Sequence, residues 1–242
     1  SITSAGSPGI SITATNGGIA LAGSLTGNGT ASVNGKVTLI ASGALTGAGA
    51  ISAYYYVQVE TGSINNTSAF TTTGGPGGLS ILAKSGDATL GGALTTQVSN
   101  SAPIVVRSTA SISVAANLTT NGGGLYLWSR YLAAEGSTTV GSISLANSVQ
   151  VKTYGGRITL AGSSQKDANG IPTGHAYTAT ASAAGVSLGT SDIATDTNVL
   201  LSSSGGVIEI YGQQSGSANA WGVMVHGGTT INSGNNSITI DG

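Results

Sequence analysis

The sequence predicts an all-β fold, a β-solenoid with coils of roughly 20 residues, from three observations. First, short segments such as Ile158-Thr159-Leu160 alternate apolar and polar residues, which is the pattern of a half-buried strand. Second, glycine pairs such as Gly155-Gly156 precede these segments and favour tight turns. Third, the unit recurs along the chain, and because each copy is too short to bury itself, only a stack of copies can form a core.

The copies of this unit also suggest a coil length. Residues 44–51 echo residues 24–31 at a spacing of roughly 20 residues, which is typical of strand-built repeats. At this spacing we expect ten to twelve coils and a rod of roughly 50 Å. Further copies of the unit lie at residues 17–21, 35–39, 77–81, 123–127 and 205–210.

We favour parallel coils over an antiparallel meander, which the Asn-Gly pairs could also indicate. Many strand signals are only three residues long and follow at irregular intervals, as expected for triangular coils. Parallel coils would also pair their backbone groups with neighbours ~4.8 Å above and below. No helical period persists, so no helix is predicted.

The alternation predicts which side chains point into the core. The apolar members of each strand signal should face inward, because successive side chains of a strand point to opposite sides. The predicted core residues are Ile19, Leu21, Val37, Leu39, Leu79, Ile81, Leu125, Leu127, Ile143, Leu145, Ile158, Leu160, Ile208, Ile210, Val223, Val225, Ile238 and Ile240.

We predict one solenoid domain over residues 1–242. Solenoids need polar caps, and neither end of the chain carries one, so we expect a fragment of a longer solenoid or a subunit that stacks on its neighbours. Residues 163–178 break the repeat and gather polar and charged side chains, which indicates a loop that leaves the stack.

Composition narrows the range of partners. The chain carries 7 Lys and Arg and 8 Asp and Glu, with a net charge of −1 and no basic cluster, so we expect no nucleic-acid partner. No apolar run reaches the length of a membrane-spanning helix, so we expect no helix inserted in a membrane. The complete absence of cysteine favours a protein outside the cell or on a bacterial surface.

The repeat with the pattern Gly-Gly-x-Ile-x-Leu-x-Gly resembles the shaft repeats of filamentous-haemagglutinin-like bacterial exoproteins. Its closest stretches are residues 155–162, 185–189 and 227–242, and the resemblance extends over nearly the whole chain. It implies a right-handed parallel β-helix within a large secreted or surface adhesin, often exported by two-partner secretion. It implies no catalytic or receptor-binding residue.

Titratable residues do not form an obvious active site. The acidic residues are scattered, and Asp192 and Asp196 are the only close pair. We therefore predict a non-catalytic protein with no cofactor and no metal site, and we expect His175 to be a solvated loop residue. Asp167-Ala168-Asn169-Gly170 is read as a turn, because a calcium loop would need more oxygen ligands. Stacking could still gather distant carboxylates, so a β-helical polysaccharide-degrading enzyme remains an alternative.

Aromatic side chains are the candidates for contact with a ligand or partner. A strand over residues 54–56 would place Tyr54 and Tyr56 on one face and Tyr55 on the other. Exposed rings could stack on sugars, which would make the chain a carbohydrate-binding module, or they could fill wide corners of the coil. The candidates are Tyr54, Tyr55, Tyr56, Trp128 and Trp221.

The sequence thus predicts a structural or adhesive β-solenoid, either a shaft segment of a bacterial surface adhesin or a subunit of an extracellular filament. Its partners would be a host-cell or matrix surface, glycans, or other copies of itself stacked end to end.

Overall fold

The computed structural model describes residues 1–4, 9–29, 35–97, 101–180, 182–190, 198–215 and 221–242. Within these residues the regular structure consists of 28 β-strands arranged in three sheets. The described chain contains no helix, and so no helical segment there is long and apolar enough to cross a membrane. The chain visits the three sheets in turn, which makes each coil a triangle.

Sheet one forms the first wall and contains nine parallel strands in the order of the coils. Its strands are β1 (Ile2–Ser4), β4 (Leu25–Gly27), β7 (Ile51–Ala53), β10 (Phe70–Thr72), β13 (Leu94–Thr96), β16 (Leu118–Thr119), β19 (Gln150–Lys152), β24 (Leu200–Ser202) and β27 (Thr230–Asn232).

Sheet two forms the second wall and has eleven strands, of which nine continue the stack. These nine are β2 (Ile10–Ala14), β5 (Lys36–Ala41), β8 (Tyr56–Thr61), β11 (Gly78–Ala83), β14 (Ile104–Ser108), β17 (Leu125–Ser129), β20 (Ile158–Lys166), β25 (Ile208–Gln214) and β28 (Ile238–Asp241). The other two, β21 (Pro172–Gly174) and β22 (Ala176–Thr178), are additions beside β20 and β25.

Sheet three closes the triangle with eight parallel strands. They are β3 (Ile19–Leu21), β6 (Leu45–Gly47), β9 (Ile64–Asn66), β12 (Ala88–Leu90), β15 (Ile112–Val114), β18 (Ile143–Leu145), β23 (Ala184–Leu188) and β26 (Trp221–Val225). Together the three sheets confirm the predicted parallel β-helix and contradict the antiparallel meander. Among the described strands, the only antiparallel pair is β20 with β21.

Coil length agrees with the predicted value only in part of the chain. The coil from Val37 to its partner Val57 has the expected length, roughly 20 residues. Later coils are longer. Leu125 pairs with Ile158 on the next coil, and the partner of Ile158 on the coil after that is Ile208. A long coil contains more residues but adds the same single step along the axis. The described chain therefore forms nine levels where ten to twelve were expected, and the rod is roughly 40 Å long.

The echo between residues 24–31 and 44–51 does not reflect coil register. Leu25 lies in sheet one and pairs with Ile51, whereas Leu45 lies in sheet three and pairs with Ile19 and Ile64. The echo therefore joins positions on two different walls. The coil length inferred from it agrees with the coils between Val37 and Leu79 but not with the first coil, and the equivalence of the two segments was wrong.

Aliphatic ladders fill the triangle. In sheet two, Leu125, Ile158 and Ile208 stack directly on one another and are fully buried. Of the 18 predicted core residues, the first 14 are buried, from Ile19 to Ile210. Val223 is only partly buried.

The prediction was wrong for three core residues in the last strands. Val225, Ile238 and Ile240 are 46%, 43% and 49% exposed. Their strands, β26 and β28, are the last members of their ladders. These side chains have the correct inward register but lack a further coil above them, so one side of each remains uncovered.

The glycine pair of the repeat has two separate roles at the corner between sheets one and two. The first glycine adopts a positive φ, which residues with a side chain disfavour: φ is 109° at Gly155 and 115° at Gly205. The second glycine permits close stacking. A Cβ on Gly156 would collide with the backbone carbonyl of Gly123 one coil below, and a Cβ on Gly206 would collide with that of Gly156.

A column of buried hydroxyl groups runs beside these glycines. The hydroxyls of Thr120, Thr153 and Ser203 each donate to the carbonyl oxygen of the glycine three residues later. All three residues are fully buried. The hydroxyls thus satisfy corner carbonyls that water cannot reach, which would otherwise be costly to bury.

The corner between sheets two and three is where the coils differ most. In two early coils this corner is short, with residues 62–63 between β8 and β9 and residues 84–87 between β11 and β12. Between β17 and β18 the connection extends over residues 130–142, and between β20 and β23 the chain makes a larger excursion that includes β21 and β22. Both excursions lie on consecutive coils and pack against each other through paired backbone bonds between Gly141 and Tyr177.

Candidate functional site

The three consecutive tyrosines lie at the corner between sheets one and two, and not in one strand as predicted. Tyr54 and Tyr55 form the bend between β7 and β8, and β8 begins at Tyr56. A Cβ on Gly74 would collide with the ring of Tyr54, and one on Gly75 with the ring of Tyr55. The half-buried rings of Tyr54 and Tyr55 therefore pack against the glycine-rich corner of the next coil.

The two tryptophans lie far from this corner in the fold. Trp221 is the first residue of β26, the last strand of sheet three, and it is 44% exposed. Trp128 points outward from β17 in sheet two and is half-buried, with its indole N–H donating to the carbonyl oxygen of Ser163. The structure thus distributes the five predicted contact residues over three places: one corner, the outer face of sheet two and the last strand of sheet three.

Trp128 lies beneath a β-hairpin formed by β20 and β21. β20 runs in the wall up to Gly162 and then turns away at Ser163, where φ is 61°. The chain returns through β21, which pairs antiparallel with the outer half of β20. Residues 163–178, expected to form a loop, are thus largely strand. At the hairpin tip Asp167 Oδ1 accepts hydrogen bonds from the backbone N–H groups of Asn169 and Ile171, which fixes the turn.

A cleft of about 200 Å³ separates the hairpin tip from the outer face of sheet two. Its floor contains Tyr126 and Trp128, which alternate outward along β17. A Cβ on Gly124 would collide with the hydroxyl end of the Tyr126 ring, so that end of the ring lies over the glycine. The cleft is lined by Val105, Tyr126, Trp128, Asn169, Gly170, Ile171 and Pro172.

One ion pair lies beside this cleft. Arg157 Nη1 lies 3.1 Å from Glu209 Oε2, and the Thr159 hydroxyl donates to the same oxygen at 3.2 Å. Burial raises the pKa of the Tyr126 hydroxyl, the carboxylates of Asp167 and Glu209 raise it further, and Arg157 opposes them. Tyr126 therefore keeps its proton at neutral pH and can donate a hydrogen bond.

A second polar cluster joins the two excursions to the last coil. His175 Nδ1 lies 3.0 Å from Glu135 Oε1, and His175 Nε2 lies 3.3 Å from Asp241 Oδ2. The imidazole also meets the ring of Tyr211 edge-on, with centroids 5.9 Å apart. The expectation of a solvated loop residue at His175 was wrong, because the imidazole is partly buried and contacts two carboxylates. The sequence did not reveal these contacts, because both partners come from distant parts of the chain.

Hydrogen bonds hold Glu135 in its ionised form. Burial of the carboxyl opposes ionisation, but hydrogen bonds from the Ser163 hydroxyl and from the backbone N–H and imidazole of His175 outweigh it and lower the pKa of Glu135. Both ring nitrogens of His175 thus face a carboxylate, one from each side of the imidazole. Among the described residues no three His, Asp or Glu side chains converge on a point where a metal could bind.

Arg130 anchors the first excursion from inside. Its side chain is fully buried, and Nη2 donates to the carbonyl oxygens of Ala134 and Ser137 at 2.9 Å. The guanidinium lies 5.2 Å from the ring centroid of Tyr177, in the second excursion. Burial lowers the pKa of Arg130, and Glu135 and Tyr177 oppose that shift.

Two other cavities carry less chemistry. A polar groove of about 470 Å³ follows the short corners between sheets two and three in the early coils, and its only charged lining residue, Asp87, accepts from the backbone N–H of Ser111. A cavity of about 370 Å³ lies at the first coil, between Ile2, Ile12 and Leu21. Asp192 and Asp196, the close acidic pair of the sequence, lie outside the described residues.

Comparison with known proteins gave no match: no family model, no curated protein and no solved structure matches this chain. The site must therefore be interpreted from its own geometry. The sequence singled out Trp128 but missed Tyr126, Glu135 and Asp241 as parts of a site. The one signal that could have drawn attention to them was the break in the repeat at residues 163–178.

Proposed function

We propose that this chain is a structural segment of an extracellular β-solenoid shaft and has no catalytic activity. The observation that supports the proposal best is the single stack of nine levels with continuous aliphatic ladders. In such a stack each coil contacts only its neighbours, so stability accumulates along the axis and the molecule is built as a rod.

The surface composition supports the same proposal. Charged residues make up only 6% of the chain, and the outward positions of sheets one and three are mostly Ser, Thr and Asn. Parallel stacking would place like charges on neighbouring coils ~4.8 Å apart, where they repel, so uncharged polar side chains suit this fold. Direct contacts between coils occur in this layer, as between the hydroxyls of Ser144 and Ser113 at 3.3 Å.

The proposal places the shaft in a filamentous-haemagglutinin-like adhesin, on a bacterial surface or secreted from the cell. It is supported by the Gly-Gly-x-Ile-x-Leu-x-Gly pattern and by the absence of cysteine. The partners we propose are a host-cell or matrix surface, or other copies of the chain. Copies stacked end to end would cover the exposed side chains of Ile238 and Ile240.

Electron microscopy with a mass determination tests the shaft. We expect rods, and filaments with an axial repeat of ~4.8 Å if copies stack end to end. Compact, non-elongated particles would contradict a shaft. Single rods at high concentration would retain the shaft and reject end-to-end stacking.

A turnover assay tests the absence of catalysis. The purified chain would be incubated with a panel of neutral and acidic polysaccharides, and new chain ends would be measured. We expect no product. Product formation that Glu135→Gln or Glu209→Gln abolishes would overturn this part of the proposal and favour the polysaccharide-degrading enzyme.

A further inference from the structure

The cleft under the hairpin is built into the fold before any ligand arrives. The hairpin is tied to the wall by the bond between the Trp128 indole N–H and the Ser163 carbonyl. Its tip is fixed by the two hydrogen bonds to Asp167. A cleft whose two sides are both held by hydrogen bonds needs little ordering when it binds, which favours affinity.

The floor of the cleft presents aromatic surface. The ring of Tyr126 reaches over Gly124, which leaves room for it, and the ring lines the cleft. The indole N–H of Trp128 is already used by Ser163, so this side chain contributes apolar ring surface to the cleft. Aromatic faces of this kind suit the C–H groups of a sugar ring.

The polar groups at the cleft are few and uncharged. None of its described lining residues carries a charge, while Asn169 contributes an amide and Tyr126 a hydroxyl. Of the ionised groups around it, Arg157 pairs with Glu209, and Asp167 accepts the two bonds of the hairpin turn. Arg107, beside Trp128 on the neighbouring strand, has its guanidinium 5.8 Å from the ring centroid of Tyr131. A charged ligand would therefore find no counter-charge among the lining residues, and a neutral ligand needs none.

We propose that this cleft binds one neutral pyranose ring of a glycan, stacked on Tyr126 and Trp128 and hydrogen-bonded by Asn169. At about 200 Å³ the cleft is smaller than a typical pocket for a drug-sized ligand, which fits a single ring with the rest of the glycan outside. The proposal goes beyond the shaft and does not depend on it, because the hairpin belongs to one coil only.

Intrinsic fluorescence provides a direct readout. The chain has two tryptophans, so Trp221→Phe leaves Trp128 as the only one. This single-tryptophan protein would be titrated with neutral oligosaccharides containing glucose, galactose, mannose or N-acetylglucosamine, and with a heparin fragment as the charged comparator. We expect a saturable change in Trp128 fluorescence with at least one neutral sugar and none with heparin.

Variants in the same background locate the binding. Tyr126→Ala should weaken binding by about tenfold through loss of stacking, and Tyr126→Phe should retain most of it. Asn169→Ala should weaken binding severalfold. The matched control is Tyr154→Asn, which removes an exposed tyrosine from another corner where φ is 47°, a conformation that asparagine tolerates. Circular dichroism of every variant confirms that the stack is intact.

Each outcome decides the proposal. Binding of a neutral sugar that Tyr126→Ala and Asn169→Ala weaken and Tyr154→Asn does not would support it. No saturable binding up to millimolar sugar, preference for heparin, or equal loss in the control variant would overturn it. Rods seen by microscopy would stand in either case, so failure here is separate from failure of the shaft.

Discussion

Residues 35–129, the regular region, and residues 130–242, the elaborated region, share the same walls but differ at one corner. In both, inward side chains stack in the same three ladders. The corner between sheets two and three needs only a few residues in the regular region, and carries both excursions in the elaborated region. Most of the chain's charged residues and both histidines lie in the elaborated region. The fold is therefore set by the walls, and most of the site chemistry is added at one edge.

The largest effect should come from a charge in the shared core, with the same result in both regions. Val59→Asp and Ile158→Asp each bury a carboxylate without a partner, and we expect each to cost more than about 4 kcal/mol of unfolding free energy. Urea denaturation followed by circular dichroism measures the loss. Thr89→Asp, on the exposed side of β12, is the matched control and should change stability little. A mild effect in either region would argue against a continuous core.

Next in size should be a methyl group at a stacked corner. Gly156→Ala would press its Cβ against the carbonyl of Gly123, and we expect a loss of about 3 kcal/mol because backbone cannot move aside easily. Gly91→Ala is the matched control, since its Cβ would lie 3.3 Å from the Thr67 methyl carbon, which can shift. Thermal unfolding compares the two. Equal melting temperatures would mean that close corner stacking does not limit stability.

A smaller, pH-dependent effect should separate the two regions. The pKa of Glu135 is lower in the folded chain, so its stabilisation is present at neutral pH and disappears as pH falls through that lowered pKa. We expect amide protection in residues 130–142 and 172–178 to fall in acid before that of residues 56–61. Hydrogen exchange corrected for intrinsic rates measures this.

Glu135→Gln is the matching variant for that experiment. It should lower protection of the excursions at neutral pH by about 1 kcal/mol, the scale of one net hydrogen bond, and remove the acid-dependent step. The Ser163, His175 and Arg130 side chains that act on this carboxyl would still be present. If the variant kept the same acid step, another group would be responsible for it.

The smallest effect should follow from loosening the hairpin tip. Asp167→Ala removes the acceptor of two turn hydrogen bonds on the exposed hairpin. We expect no change in the melting temperature of the stack, but faster exchange of the Asn169 and Ile171 amides. A lowered melting temperature would show that the hairpin stabilises the walls as well.

The walls of the solenoid could be predicted from the sequence because the pattern that encodes each strand and turn is local. Alternation at Ile158-Thr159-Leu160 and a preceding glycine pair encode a strand and its turn within a few residues. Repetition then allows a stack to be predicted without knowing which residues are partners. The same reasoning overestimated the end of the stack, since Ile238 and Ile240 follow the local rule but have no coil above them.

Features that depend on coil register could not be predicted. His175 meets Glu135 and Asp241 only because segments that are far apart in the sequence reach neighbouring levels. The variable coil length hides that proximity in sequence. The buried hydroxyls of Thr120 and Thr153 were also missed, because a threonine beside a glycine resembles any polar turn residue until its inward direction is known.

The corner between sheets two and three lets the chain change its length without changing the length of the rod. The short coil from Val37 to Val57 and the long coil from Ile158 to Ile208 occupy the same single step along the axis, because only the paired strands set that step. Insertions at this edge therefore leave every other coil at its original height and in its original register. A foreign peptide grafted in place of the hairpin would be displayed at a fixed position along the molecule, which makes this edge a natural point for engineering and for diversification.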